Sequence, residues 1–337
     1  MYKLVILIFI SSLFLRAEDD INTTKWLPPL EIPQPTDNRL TTQRIKLGKL
    51  LFFDKRLSSD DSISCATCHH PKRGWTDFKP VSKAVGVHGR IGPRNSPTLL
   101  NTAYQNRQFW DGRVRTLEQQ ALGPIQTDVE MDMPLEVLVV KLKAIKTYAT
   151  LFEEAYPNEK LDKTTIAKAL ASFERTIISP PAPFDRYVQG DKKAISQDAK
   201  EGFKLFKHKA HCTDCHDGFN FTDGSFHNIG LKDGELTGKE LGRYNVKSRV
   251  SWYGVMKTPT LRDITKSYPY FHDGSVQTLE EATEICSKGG RYNKNVKNKS
   301  HSMKDRNLTK EERRKIVVFM KTLTSPDIDI IIPTKFP

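Results

Sequence analysis

The chain has 337 residues, enough for two domains, and 37% of them are hydrophobic, which indicates a globular protein and excludes a membrane bundle. The formal net charge is +13, so the surface favours acidic protein partners. Nucleic acid is not expected as a partner, because the basic residues are scattered among acidic ones.

The first predicted element is an export signal over residues 1–17. Lys3 precedes a short apolar core, and Arg16 and Ala17 follow it. The core is too short to span a bilayer, and a small residue stands at a suitable cleavage point. We expect cleavage near Ala17, no stable membrane span afterwards and a periplasmic location. An uncleaved N-terminal anchor is the alternative.

Two motifs carry the chemistry of the sequence: Cys65-Ala66-Thr67-Cys68-His69 and Cys212-Thr213-Asp214-Cys215-His216. Two thiols three residues apart can both add to the vinyl groups of one porphyrin, and the next histidine then ligates the iron. A single motif is also compatible with a redox dithiol or half of a zinc site. Two copies behind an export signal predict two covalently bound haem c groups, each with its histidine, His69 or His216, as an iron ligand.

An amphipathic helix precedes each motif, so the two halves resemble a distant internal repeat. Thr41 or Thr42 caps the first helix, which continues to Phe53, and the second covers residues 196–206. Further helices are predicted over residues 134–148, 163–178 and 309–323, the last with a capping box of Thr309 and Glu312. No sustained strand alternation appears.

The predicted fold class is therefore mainly α, with two cytochrome-c-like haem domains packed against each other. A proline-rich segment over residues 180–183 marks the boundary between them. We predict an N-terminal haem domain over residues 18–185, a C-terminal haem domain over 186–325 and an extended tail over 326–337 that lies along a surface.

The order of further motifs resembles that of the bacterial di-haem cytochrome c peroxidases and the related MauG-type enzymes. The resemblance runs from about Leu47 to about Leu323. Besides the two haem motifs, it depends on segments that begin at Leu47, Gly92, Phe109, Val129 and Pro269, with the sequences LGKLLFFD, GPRNSPT, FWDGR, VEM and PYFHDG.

The resemblance implies that the N-terminal haem meets peroxide and that the C-terminal haem receives and relays electrons. It implies that Glu130 is an acid/base, that Gln120 shapes the pocket and that Trp110 lies between the haems. A carboxylate beside an open iron position can take a proton from H2O2 and return it to the departing oxygen. A carboxamide can orient the peroxide or stabilise developing charge.

Two further ligand sets come from the resemblance. Asn95 matches a calcium ligand between the domains, and backbone carbonyls at Ser267 and Pro269 would complete the protein's share of that site. A histidine at the position of His88 caps the first iron in many of the peroxidases. Here the loop is one residue shorter up to Arg94 and is closer to the MauG-like relatives, whose site stays open. His88 is therefore either a switchable iron ligand or a loop histidine.

Cys286 is the fifth cysteine and the main departure from the family pattern. The position fourteen residues after His272 is a methionine ligand of the second haem in the peroxidases and a tyrosine in MauG-type enzymes. We predict that Cys286 ligates the second iron, whereas a buried free thiol is the alternative. A thiolate ligand would give that haem a low potential.

These features predict an exported di-haem peroxidase that reduces H2O2 to water. Its electrons would come from a small donor protein, a cytochrome c or a cupredoxin. A homodimer is a further expectation. A MauG-like enzyme that oxidises residues of a partner protein is the first alternative. A non-enzymatic electron carrier or redox sensor is the second, although Glu130 and Gln120 beside a haem argue against it.

Overall fold

The computed structural model describes residues 23–77, 83–230, 240–291 and 299–337. The predicted export signal over residues 1–17 lies outside the described residues. Helices provide nearly all of the regular structure, as predicted, and the only strands in these four ranges are two short antiparallel ones, β1 (Phe226–His227) and β2 (Met256–Lys257). No helix within the same ranges is long and apolar enough to cross a bilayer.

The helices fall into two sets, one around each cysteine motif. The first set comprises α1 (Thr42–Phe53), α2 (Cys65–Cys68), α3 (Leu117–Gln126), α4 (Leu135–Ala144), α5 (Lys146–Ala155) and α6 (Lys163–Glu174). The second set comprises α7 (Pro183–Val188), α8 (Gln197–Lys207), α9 (Tyr244–Lys247), α10 (Leu279–Ser287) and α11 (Lys310–Lys321). Each set encloses its own hydrophobic core, so the two halves form two cytochrome-c-like units.

The helix before each motif packs against a later helix through a glycine. A Cβ atom on Gly48 in α1 would overlap the carbonyl oxygen of Ala169 in α6. A Cβ atom on Gly202 in α8 would likewise overlap the carbonyl oxygen of Lys315 in α11. Glycine therefore lets two backbones approach closely at the same place in each half.

Capping residues begin these helices where the sequence predicts. The Thr41 side chain accepts from the Arg44 amide at the start of α1, and the Ser196 side chain accepts from the Ala199 amide at the start of α8. The predicted capping box of Thr309 at the start of α11 is also present. These starts are confirmed because capping depends on residues only a few positions apart.

The predicted single helix over residues 134–148 is wrong, because the chain forms two helices that meet at Ile145. Ile145 has an extended backbone (φ −91°, ψ 98°) between α4 and α5. The break turns α5 so that the buried Tyr148 hydroxyl donates to Asp54 Oδ2 at 2.7 Å. The predicted helix over 163–178 also ends early, at Glu174, because the Ile177 carbonyl accepts from the Asn101 amide instead.

Two loops of the first half recur in the second half at a constant separation along the sequence. Phe109-Trp110-Asp111-Gly112 corresponds to Phe271-His272-Asp273-Gly274, and both phenylalanines have a φ of 67°. A threonine cap and a helix follow each loop, α3 in the first half and α10 in the second. The repeat therefore extends well beyond the cysteine motifs.

The repeated loops meet at the seam between the halves. The Asn95 amide donates to the His272 carbonyl at 2.7 Å, and the Lys257 amide donates to the Trp110 carbonyl at 2.7 Å. Asn95 corresponds to Lys257 in the repeat, and His272 corresponds to Trp110, so the two bonds form a reciprocal pair. Half-buried Arg94 adds an ion pair across the same seam, with Nε 2.7 Å from a carboxylate oxygen of Glu240.

Both ends of the described chain pack against the opposite half. Trp26 is 1% exposed and lies in the C-terminal core, where its ring stacks on Phe221 with centroids 5.0 Å apart. Ile328, Ile330 and Ile332 of the tail pack against the N-terminal core. The two halves are therefore tied together at both ends as well as at the seam.

Candidate functional site

The first cysteine motif places an iron-binding nitrogen beside two thiols. Ser64 precedes α2, and its amide donates to the Thr67 hydroxyl at 3.0 Å, which fixes the turn that carries Cys65 and Cys68. The His69 Nδ1 atom lies 3.2 Å from the Trp75 carbonyl oxygen. A carbonyl can only accept, so Nδ1 carries the proton and the Nε2 lone pair stays available for a metal.

The second motif repeats this arrangement. The His216 Nδ1 atom donates to the Phe221 carbonyl oxygen at 2.9 Å, and its Nε2 atom is left for a ligand bond. Burial lowers the pKa of His216, and it lowers the pKa of His69 to about 4. Both imidazoles are therefore neutral near pH 7, which is the form that ligates iron.

The thiols and the surrounding space also fit covalent haem. All four motif cysteines are free thiols, so none is consumed by a disulfide. A cavity of about 410 Å³ opens above the first motif and is lined by Cys65, Cys68 and His69. Its size is that of a small-molecule or cofactor site.

Glu130 and Gln120 line the same cavity as His69. Thr116 caps α3, which carries Gln120, and Glu130 follows in the turn after that helix. The Glu130 carbonyl accepts from the Val87 amide at 2.8 Å, which anchors the turn. Burial raises the pKa of the Glu130 carboxyl, and nearby Arg113 opposes that shift. The cavity thus brings together an imidazole, a carboxyl and a carboxamide.

His88 does not line this cavity. Its side chain is about half exposed, and its Nδ1 atom lies 3.5 Å from an Asp60 carboxylate oxygen. The backbone of His88 is in the left-handed region (φ 56°) at the tip of the turn that Val87 begins. The structure therefore holds the His88 imidazole outside the cavity.

Trp110 and Asn95 line the cavity on the seam side. The Trp110 Nε1–H donates to the Asn95 carbonyl at 2.9 Å, and the Asn95 side-chain amide donates to the Pro269 carbonyl at 2.6 Å. Ser267 also lines the cavity, so the structure gathers Asn95, Ser267 and Pro269 at one place. His272 completes this group, and burial lowers its pKa.

Comparisons with known proteins agree with this geometry. The family model for di-haem cytochrome c peroxidase matches residues 42–193, and the model for cytochrome c matches residues 199–324. The chain is 42% identical to the methylamine utilization protein MauG of Methylorubrum extorquens over 90% of this chain and 85% of that protein. The chain belongs to the di-haem cytochrome c peroxidase family.

Two further relatives represent both branches of this family. The cytochrome c551 peroxidase of Nitrosomonas europaea is 38% identical and covers 86% of this chain and 82% of its own length. A solved MauG-like protein associated with microbial copper homeostasis superposes with a TM-score of 0.80 at 30% identity, over 89% of this chain and 94% of that one. The protein is thus an oxidoreductase with two covalently bound haem c groups.

Cys286 lies in the last turn of α10, where the side chain is exposed. In the repeat it corresponds to Pro124 of α3, and Pro124 lines the cavity above the first haem motif. The thiol is close enough to Cys212 and Cys215 for their charges to interact. Cys286 therefore occupies, in the second half, the position at which Pro124 of the first half lines the cavity above a haem motif.

Sequence reasoning missed three titratable residues in the cavity wall, Glu174, Glu240 and Lys257, and the first and last of them have strongly shifted pKa values. Burial raises the pKa of Glu174 to about 8 and lowers the pKa of Lys257 to about 8. In sequence, Glu174 belongs to an amphipathic helix and Lys257 to a basic segment, so neither has a signal of its own. Both residues are far from Cys65–His69 along the chain, and only the fold brings them into the wall of the same cavity.

A group of Cys215, Asp223 and His227 also has metal-ligand spacing in the described ranges. Haem attachment consumes the Cys215 thiol, so this group is better explained as the surroundings of the second haem. His227 Nε2 lies 2.8 Å from Asp223 Oδ2, and this contact, with Cys215, raises the pKa of His227 to about 10.

Proposed function

We propose that the protein is an exported, periplasmic peroxidase that reduces H2O2 with electrons relayed from its C-terminal haem to its N-terminal haem. The overall reaction is H2O2 plus two electrons and two protons to two waters. The observation that carries this proposal is that His69, Gln120 and Glu130 line one cavity. The named peroxidases among the relatives support it.

Each of these groups has a distinct part. The bound haem supplies an iron at which the peroxide O–O bond can be broken. Glu130 takes a proton from one peroxide oxygen and returns it to the other. Burial raises the pKa of its carboxyl, which favours the first of these two transfers. The Gln120 carboxamide holds the peroxide and excludes water from that place. His69 stays neutral, with its Nδ1 proton held by the Trp75 carbonyl.

Steady-state peroxide turnover by the holoenzyme tests this proposal. Glu130→Gln keeps the shape of the side chain but removes the proton acceptor, and we expect turnover to fall by about a hundredfold. Glu136→Gln is the control, because that side chain is 80% exposed on α4. Equal turnover in both variants, with two haems present, would contradict the role of Glu130.

Electrons enter through the C-terminal haem in this proposal. The donor is a small electron-transfer protein such as a cytochrome c or cupredoxin, and the positive net charge of the chain favours an acidic docking face on it. Trp110 lies on the route between the haems, with its indole Nε1–H fixed by the Asn95 carbonyl. A homodimer stays a prediction, which sedimentation of the holoenzyme would test.

We also propose one Ca²⁺ at the seam, bound by the Asn95 side chain and the carbonyls of Ser267 and Pro269. These residues line the same part of the cavity. The Asn95 amide now donates to Pro269, and a half-turn of its side chain would place Oδ1 on the same side as that carbonyl. Neutral oxygen ligands require waters to complete the shell. Terbium luminescence that Asn95→Leu abolishes would support the site, whereas equal luminescence in both proteins would contradict it.

A MauG-like activity on a partner protein is the second candidate. The position of His88 favours it, because the imidazole lies beside Asp60, outside the cavity. A MauG-like enzyme requires such an open position at the first haem. The relatives named MauG support it as well. Slow peroxide turnover with every reduced donor, together with a long-lived oxidised protein after peroxide addition, would favour this candidate. Fast turnover would favour the peroxidase.

A further inference from the structure

Lys257 reaches the first haem cavity from the C-terminal half. Lys257 belongs to β2 and is only 8% exposed. Its amide donates to the Trp110 carbonyl at 2.7 Å, and its ammonium donates to Gln105 Oε1. Both Lys257 and Gln105 line the cavity that holds His69. A side chain from one half therefore forms part of the cofactor site of the other.

The charge of Lys257 has no acidic partner in the described part of the chain. The cavity wall contains two other cations, and both are neutralised. Arg94 pairs with Asp111 and Glu240, and Arg113 pairs with Asp111. The Lys257 ammonium donates a hydrogen bond to the neutral Gln105 carboxamide, and burial lowers the pKa of Lys257 to about 8. A buried ammonium without an anion is unfavourable, so the site is built for an anion that the cavity receives.

The internal repeat gives Lys257 a neutral counterpart in the first half. Lys257 corresponds to Asn95, and each donates its amide to the loop of the opposite half. The Asn95 side chain turns toward the carbonyl of Pro269. At the equivalent place in the second half, the chain supplies an ammonium group of its own. The seam thus has two related positions, one with a neutral amide and one with a built-in cation.

We propose that Lys257 binds a propionate of the N-terminal haem and thereby fixes that haem to the Trp110 side of the seam. The cysteines of the first motif would hold the vinyl groups of the porphyrin, and its propionates would need a positive charge elsewhere in the cavity wall. Lys257 would supply that charge. Lys257 is a positioning residue, and this proposal depends on haem attachment but not on peroxide chemistry or on Glu130.

Spectroscopy and redox titration of the holoprotein test the proposal without turnover. Lys257→Met removes the charge and keeps the length of the side chain, and Lys257→Gln keeps a hydrogen-bonding group as a second neutral variant. Loss of a nearby positive charge favours the oxidised iron. We expect the reduction equilibrium of the N-terminal haem to shift at least tenfold toward the oxidised form, about 59 mV for one electron. The propionate bending band in the resonance Raman spectrum should shift with it.

Two variants serve as controls. Lys257→Arg retains the charge and should restore the potential and the band. Lys247→Met removes an exposed lysine from α9, so it should change neither. An unchanged potential and band in Lys257→Gln, with two haems attached, would overturn the proposal. Shifts of equal size in Lys247→Met would overturn it as well, because the effect would then be one of net charge.

Discussion

The Trp110 indole and the His272 imidazole meet edge to face, with ring centroids 6.3 Å apart and planes inclined by 73°. They occupy equivalent positions of the repeated loops, so each half contributes one ring to the same contact. Each ring sits beside the backbone bond that ties its loop to the other half. The pair is therefore an aromatic contact across the seam between the two halves.

The Asn95 backbone also connects the two loops of this contact. The Asn95 backbone accepts from Trp110 Nε1 and donates to the His272 carbonyl, so one residue fixes both rings. A rotation of one half would break both bonds and the ion pair of Arg94 with Glu240. We therefore expect changes at the first haem to occur in local loops and not by movement of one half against the other.

The loop that begins at Gly86 is the first place to test such a local effect. A Cβ atom on Gly86 would overlap the carbonyl oxygens of Val129 and Glu130. Gly86→Ala should therefore displace Glu130 and lower peroxide turnover, while the spectrum of the C-terminal haem stays unchanged. Gly92→Ala is the matched control, because its Cβ atom would meet only Ala84 at ordinary distances of 3.5 and 3.8 Å. Equal turnover in both variants would contradict this account.

Glu174 allows a prediction about stability and pH. Its carboxyl is buried, one of its oxygens (Oε2) has no hydrogen-bond partner, and its pKa is raised to about 8. The folded state therefore holds this proton at a pH where the unfolded state has released it, so the free energy of unfolding falls as pH rises from about 4.5 to about 8. Glu174→Gln should raise that free energy by a few kcal/mol at about pH 8 and change it little below about pH 5.

Thermal unfolding of the holoprotein at the two pH values checks this prediction. Glu136→Gln on the exposed face of α4 removes the same charge from the surface and should have little effect at either pH. A stabilisation by Glu174→Gln of equal size at both pH values would show that proton binding by Glu174 is not its cause.

How much of this could be predicted from sequence depends on the range of the interactions. The starts of α1, α8 and α11 were predictable because a cap and a helical period involve neighbouring residues. The break at Ile145 was not, because it serves the contact between Tyr148 and Asp54, far apart in the chain. No residue near Ile145 is a glycine or proline that would mark it.

For the candidate site, too, what could be predicted depends on the range of the interactions. The haem motifs were predictable because each is a short pattern, whereas the roles of the Phe109 and Val129 segments were predicted from the family resemblance. The place of Lys257 in the site was not predictable, since it depends on a cavity formed by the other half.

Two helices could have been predicted from their first residues. Helices α3 and α10 each begin after a threonine cap, at Thr116 and Thr278, which was a usable signal. Pro124 within α3 opposes a helix prediction there.

Trp26 gives a prediction about the connection between the halves. It is 1% exposed and contacts Phe203 and Phe221 in the C-terminal core, although it precedes the whole N-terminal half. Trp26→Ala should lower the free energy of unfolding by about 3–5 kcal/mol. During urea unfolding, the absorption of the C-terminal haem should change first, because the truncated side chain leaves a void in the C-terminal core.

Lys25→Ala is the control for this variant. Lys25 pairs with Asp217 at 2.8 Å, but both side chains are about 40% exposed, so the pair contributes at most about 1 kcal/mol. If Lys25→Ala destabilised the protein as much as Trp26→Ala, the segment would act through its charge and not through the buried indole.

Cys286 gives the last prediction, which concerns the second iron. Its place in the repeat, equivalent to the cavity-lining Pro124, puts it where an axial ligand of the C-terminal haem is expected. A thiolate donates charge and favours the oxidised iron, whereas a neutral thioether favours the reduced iron. Cys286→Met should therefore raise the potential of that haem by at least about 59 mV, a tenfold shift of the equilibrium.

Absorption and EPR spectra of the oxidised holoprotein check this directly, together with a redox titration. The thiolate signature should vanish in both Cys286→Met and Cys286→Ser, but only the methionine variant should gain the spectrum of histidine–methionine ligation. Spectra and potentials that match the parent protein in both variants would show that Cys286 is a free thiol. The second haem would then take any sixth ligand from another residue, and the prediction of a low potential would have no basis.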